Sequence, residues 1–368
     1  MKKFLLLYSL TIFIASCSQK VSDNSSVHFK KMLDEYYDQR MKLYPLEATT
    51  NGDNRFNDKL PIDISNSYRD TLKHFYTGWI DSLKNIDSNK LSENDKTSFE
   101  ILQWDLQVNL EGFSFPDNLM PINQFWSLPL TMAQLGSGSS NQPFKTVKDY
   151  ENFLKRMDSF GAWCDTAISN MRIGMERKIL LPKILAQRVI PQMKAMVTSV
   201  EKSVFYMPVE NMPADFSDAD KLRLKNDYTK IISVRVIPAY QNLYSFFKDE
   251  YEPACRNSCG IDSVPGGNEY YNHLIKQWTT TNLTADSIFN LGMKEVNRIH
   301  QQMMNVKDEV GFKGSLKEFF TYINRDKQFM PFTTDSDVIR AYRSIYTKEQ
   351  PQLKKMFSLV PKSKFEIR

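Results

Sequence analysis

The stretch Val264–Met304 reads VPGGNEYYNHLIKQWTTTNLTADSIFNLGMKEVNRIHQQMM, and its spacing decides the fold class. A turn at Gly266-Gly267 leads into a short aromatic segment with Tyr270 and Tyr271. The run Thr279-Thr280-Thr281 follows, and then Thr284 stands where a helix cap belongs. Behind it Ile288, Gly292, Val296, Ile299, Met303 and Val306 recur every three or four residues, the period of one helix face. The bland reading of the glycine pair is a turn that needs positive φ. No G-x-x-x-x-G-K-[ST] surrounds it, so it is no phosphate loop.

The same period runs outward in both directions. Tyr68, Leu72, Phe75, Trp79 and Leu83 form one stripe behind a capping Ser65, and Ser92 opens a helix with Phe99, Leu102 and Leu106. Thr146 caps a helix carrying Tyr150, Phe153, Leu154, Met157 and Phe160. Asp218 to Tyr251 is helical in pattern, with Pro238 inside it predicting a kink or break. Ser315-Leu316-Lys317-Glu318 is a capping box, and a last helix runs from Val338 towards Pro351. Residues 116–143 are a long connection, of the kind that is either functional or disordered. Only Trp278–Leu283 and Phe365-Glu366-Ile367 look extended. The expectation is a mostly α protein.

Composition agrees. Hydrophobic residues make 41% of the chain and aromatics 12%, enough for a large core, while 13 glycines in 368 residues fall well below the usual ~7%. The net charge of +5 includes Lys2 and Lys3 of the leader, leaving +3 on the remainder. So small an excess argues against a nucleic-acid partner.

The N-terminus reads as a lipoprotein signal. Lys2 and Lys3 precede an apolar run, Phe4–Ala15, of about a dozen residues, where a bilayer span takes about 20. Ile14-Ala15-Ser16-Cys17 has the form of a lipobox. The expected organisation is a signal peptide over 1–16, an acylated tether over 17–26 with the lipid on Cys17, a helical region over 27–260, and a further region over 261–368. The predicted location is the cell envelope, extracytoplasmic and membrane-anchored. Cys164, Cys255 and Cys259 then lie in a disulfide-permissive compartment. Cys255 and Cys259 either close a small loop or remain two free thiols.

Chemistry is sparse. The four histidines, His28, His74, His273 and His300, include no H-E-x-x-H, the helical pattern that binds zinc and activates its water. Glu269-x-x-x-His273 offers two ligands where a catalytic zinc takes three protein groups. Ser137 and Ser139 lack the G-x-S-x-G context of a nucleophile. Tyr270 and Tyr271 read as core packing, or else one hydroxyl faces a substrate cleft. Thr280, in the threonine run, could offer backbone groups to a substrate strand.

The order of features from Val264 onward, with Gly311-Phe312, Gly314-Ser315 and Phe319, resembles the family known as domain of unknown function 885. Pro45-Leu46-Glu47-Ala48-Thr49, Gly52 and Asn54-Arg55-Phe56 resemble that family's N-terminal pattern, with Asn54 where an Asp is common. The resemblance covers most of the chain behind the leader. It implies bacterial lipoprotein or secreted proteins related to zincin metallopeptidases, a helical gluzincin-like architecture around a cleft, and a peptide substrate. Such proteins carry H-E-x-x-H nearer the C-terminus, and no position here matches its ligands. The expectation is therefore no catalytic residue and no metal site in this chain, zinc only on a longer one, and a protein inactive by itself. The alternative is a non-catalytic lipoprotein that binds peptides or glycans.

Overall fold

The computed structural model describes residues 24–363 and 365–367. The signal segment and Cys17 lie outside them. The helices are α1 (Asn24–Leu43), α2 (Pro45–Thr50), α3 (Asn66–Leu83), α4 (Glu93–Gly112), α5 (Leu128–Gly136), α6 (Val147–Glu176) and α7 (Lys183–Ala195). They continue with α8 (Met207–Glu210), α9 (Asp218–Ile231), α10 (Ile237–Ser245), α11 (Glu252–Ala254), α12 (Gly267–Thr279), α13 (Ala285–Glu309), α14 (Leu316–Arg325) and α15 (Asp335–Met356). Among the described residues there is no strand, only an isolated bridge between Pro182 and Arg256. The fold is mostly α, as the spacing predicts.

The caps are where the sequence places them. Ser65, Ser92, Thr146 and Thr284 each accept a backbone N–H of the first turn of the helix behind them, and Thr146 and Ser315 close full capping boxes. Four expectations are revised. Trp278 and Thr279 finish α12 rather than starting an extended segment, and Phe365–Ile367 form no strand. Asn24–Ser26, expected in the tether, already belong to α1. Pro238 breaks nothing: a π-helical turn over Ile232–Val236 immediately before it widens the ladder where the ring would otherwise meet a carbonyl. The long connection 116–143 contains α5, whose nine residues are too few to show a clear period.

The chain divides into two compact units at Asn282/Leu283. The cause is α12, which packs on α4: Lys276 Nζ lies 2.6 Å from Glu111 Oε2, and the rings of Tyr270 and Phe115 stack at 5.1 Å. Within the first unit, α6 is the central helix. Its buried face of Tyr150, Phe153, Met157, Phe160, Trp163 and Met171 is covered by α9, α10 and the π-helical turn between them, and α7 packs in turn on α10. A second cluster joins α1, α3 and α4 through Phe29, Leu72, Tyr76, Trp79 and Leu106.

One fully buried cation ties α6 to the segment 45–59. Arg156 on α6 donates to Lys59 O, Gln142 Oε1, Pro45 O, Thr49 Oγ1 and Phe56 O at 2.6–3.2 Å. Burial lowers its pKa to about 10. The segment Pro45–Phe56 is thus a cradle for a guanidinium 100 residues away.

In the second unit, α13 packs on α14, and Phe312, Phe319, Tyr322 and Phe329 form an aromatic group between 312 and 329. Phe289, Val296, Ile299 and Met303, the apolar stripe of α13, are exposed.

Candidate functional site

A cleft of about 690 Å³ lies wholly within the first unit, a size ordinary for ligand sites. Three parts of the chain build its walls. The segment held by Arg156 supplies Tyr44 and Leu46, α3 and α4 with the turn after them supply Arg69, Phe113 and Asp117, and α12 supplies Tyr270 and His273. The fourth side is the loop leading to α5. There Asn123 Oδ1 accepts the backbone N–H groups of Phe125 (2.8 Å) and Trp126 (2.7 Å), and Gln192 Nε2 donates to Gln124 O. This turn holds Phe125 and Trp126 outward, 72% and 82% exposed. Large aromatics so bare, on a loop so well tied, form a ready contact surface.

Polar groups converge on the cleft with capacity to spare. Ser127 precedes α5 without capping it through its side chain, and its hydroxyl is buried with no partner. His273 is buried, packed over Phe115 at 4.9 Å between centroids, and makes no hydrogen bond through Nδ1, which lies 3.6 Å from Glu111 Oε1. Gly112 makes room for that ring, since a Cβ there would sit 3.2 Å from His273 Nε2. Lys276 beside Glu111 holds the glutamate below its usual range. Arg69, itself buried, pairs with Asp117 at 2.6 Å and donates to Phe115 O. Asp63 accepts from Trp163 Nε1 at 2.7 Å. It is open to the cleft but walled by protein elsewhere, and that desolvation raises its carboxyl above the usual range. A side slot of about 60 Å³, lined by Leu43, Pro45, Leu60 and Pro61, shares Tyr44, Leu46, Asp63 and Leu128 with the main cleft.

Of the residues singled out by sequence, Tyr270 lines this cleft, and desolvation pushes its hydroxyl up to about 12. Tyr271 is exposed on another face of α12. Thr280 ends α12 in a left-handed conformation, φ 56°, and is exposed outside the cleft. Sequence reasoning missed Asp63, Arg69, Phe125, Trp126 and Trp163. The signal for the aromatics was the long connection carrying them between Pro121 and Pro129.

Zinc finds no fit in these residues. Among the described residues no three His, Cys, Asp or Glu groups converge on one point. Glu269 is exposed while His273 is buried, so the i, i+4 pair does not share a site.

Cys164, Cys255 and Cys259 are free thiols. The loop between Cys255 and Cys259 is held by Arg256, which donates to Leu180 O, Ser258 O and Gly260 O. Burial pushes the Cys255 thiol up to about 11 and that of Cys164 well above its usual value. Iodoacetamide on the native protein is therefore expected to modify exposed Cys259 first, Cys255 slowly, and Cys164 only after unfolding. Tryptic mass mapping reads this order, and early Cys164 modification would contradict the packing of α6.

A family model described as bacterial protein of unknown function (DUF885) matches residues 45–368. No curated protein matches the chain significantly. Among solved structures, a "putative lipoprotein" from Colwellia psychrerythraea superposes with a TM-score of 0.77 at 18% identity, over 92% of this chain and 61% of its own. A second, a "putative lipoprotein of unknown function" from Shewanella oneidensis, gives 0.62 at 15% identity, over 91% of this chain and 59% of its own. The chain spans about three-fifths of the length of these structures, and the likeness is one of fold.

Proposed function

The chain belongs to the bacterial DUF885 family, and on that footing we propose that it is a lipid-anchored cell-envelope protein whose cleft binds peptides. The observation that carries this is the cleft itself. It places polar side chains, among them Asp63, Asn118, Ser127 and Gln134, around one concave space. Beside them lie a small apolar slot and two bare aromatics. An extended peptide has matching parts: backbone donors and acceptors at intervals, and side chains between them.

The family's relation to zincin metallopeptidases, inferred from the sequence resemblance, supports a peptide as the ligand. It also implies hydrolysis by a zinc-activated water, for which these residues offer no ligand set. The 368-residue chain is accordingly proposed to bind without cleaving. A glycan is the second reading, favoured by the exposure of Trp126 and Phe125, since sugar rings stack on bare aromatic faces.

The anchor is supported by the Ile14-Ala15-Ser16-Cys17 lipobox, and the two superposing structures are described as lipoproteins. No helix among the described residues is long and apolar enough to cross a membrane. Labelled palmitate supplied to the producing cells is expected to enter the native protein and to be absent from Cys17→Ser, which should move to the soluble fraction. Label retained by the variant would overturn the anchor.

Peptide binding is tested by equilibrium dialysis of the purified chain against a defined pool of pentapeptides, read by mass spectrometry. A subset should be retained intact, and adding zinc should leave it uncut. A pool that passes unretained, together with retention of an oligosaccharide set, would replace the peptide reading by the glycan one.

A further inference from the structure

We propose that the cleft selects ligands bearing an ammonium group, which Asp63 and the surrounding aromatic rings receive. The inference rests on the peptide reading above and narrows it.

It starts from the charges. Four ionisable groups other than tyrosines line the cleft: Asp63, Arg69, Asp117 and His273. Arg69 and Asp117 neutralise each other at 2.6 Å, and the guanidinium is further occupied by Phe115 O and by the Phe113 ring, 5.2 Å beneath it. Glu111, near His273, is paired with Lys276. Asp63 forms no ion pair with any described residue. Its one side-chain partner is the neutral indole N–H of Trp163, whose buried ring fixes the carboxylate in place. The cleft thus holds one oriented anion, met by neutral N–H groups and by no charged partner, and no free fixed cation.

The walls suit the same ligand. Trp126 and Tyr270 line this space without a guanidinium of their own, whereas the Tyr44 and Phe113 rings already carry Arg40 and Arg69, and the negative face of an aromatic ring attracts a cation in a partly desolvated site. The desolvation that raises the Asp63 carboxyl would be offset by an incoming positive charge. A carboxylate ligand would meet Asp63 and find Arg69 already engaged. In a peptide the ammonium is either the chain N-terminus or a lysine side chain.

The experiment uses the complete chain and two isosteric probes, benzylammonium and benzyl alcohol, titrated by calorimetry. Benzylammonium is expected to bind at least about tenfold more tightly. Asp63→Asn keeps an oxygen for Trp163 and is expected to bring the two probes within about twofold. Equal affinity in the wild type, or a preference that survives Asp63→Asn, would overturn the proposal. Trp126→Ala removes an exposed side chain outside the core and should weaken benzylammonium more than benzyl alcohol; the reverse order would count against the ring contribution.

Two peptide pairs then locate the ammonium. Free against N-acetylated Phe-Ala-Ala reports on the chain terminus, and acetylated Phe-Lys-Ala against its norleucine analogue reports on lysine. A charge preference in either pair supports the proposal and identifies the source. Acetylated, lysine-free peptides binding as well as charged ones would remove this inference and leave peptide binding intact. Benzylammonium selectivity with no peptide bound would do the opposite.

Discussion

Replacing Arg156 by Met should destabilise the first unit by about 3–5 kcal/mol, the range seen when one side of a buried charge network is removed. Methionine replaces the aliphatic stem but not the guanidinium fork, so the loss combines missing hydrogen bonds with the space the fork leaves. Three backbone carbonyls (Pro45, Phe56 and Lys59), the Thr49 hydroxyl and the Gln142 amide oxygen would lose their shared donor at once. Buried Thr49 Oγ1, which itself donates to Asn57 Oδ1 at 2.6 Å, would be left without the Arg156 donor. All five tryptophans, at 79, 104, 126, 163 and 278, lie in this unit. Urea unfolding followed by tryptophan emission therefore reports on it selectively, and the midpoint should fall at unchanged slope. The consequence reaches the cleft, because the same segment positions Tyr44 and Leu46. A loss below about 1 kcal/mol would mean that the network is worth no more than an exposed ion pair.

Replacing Gly267 by Ala should cost about 3 kcal/mol, at the upper end of overpacking effects. A Cβ there would fall 1.8 Å from Ile261 O, and that obstacle is backbone, unable to swing aside. Its neighbour Gly266 differs in kind. It occupies φ 71° at the start of α12, with nothing within 4 Å of a built Cβ. Gly266→Ala should cost only about 1 kcal/mol, the strain of a left-handed residue. The two glycines thus serve one turn for two reasons, conformation at 266 and close approach at 267. Tryptophan-monitored melting of both variants separates these accounts. Limited proteolysis should also open residues 261–282 in Gly267→Ala, since α12 would lose its seat on α4. Equal and small losses would show that the loop at Ile261 yields readily.

The helices were legible because their signals are local. Ser65, Ser92, Thr146, Thr284 and Ser315 mark starts by side-chain chemistry that acts within one turn, and the apolar stripes repeat within the same helix. What escaped is non-local. Nothing around Arg156 distinguishes it from a solvated arginine on an amphipathic helix; its importance arises only when residues about 100 positions earlier fold around it. The Pro45–Thr49 and Asn54–Phe56 pattern was visible without its purpose. Asp63 likewise reads as a loop aspartate until Trp163 is brought to 2.7 Å. Pro238 misled in the other direction, because a π turn can absorb a proline and has no clear sequence signature. Tyr270 and Tyr271 show how fine the resolution must be. Adjacent on one helix, they point to different surroundings, and only Tyr270 lines the cleft.

The claim that the cleft is a peptide site is tested most directly by hydrogen exchange of the chain with and without a peptide retained in dialysis. Binding there should slow exchange in the loop 120–128, at the start of α12 and around residues 44–46, and leave residues 283–368 unchanged. Protection confined to the second unit, or spread evenly without a maximum at the Trp126 loop, would contradict the account and move the binding surface elsewhere.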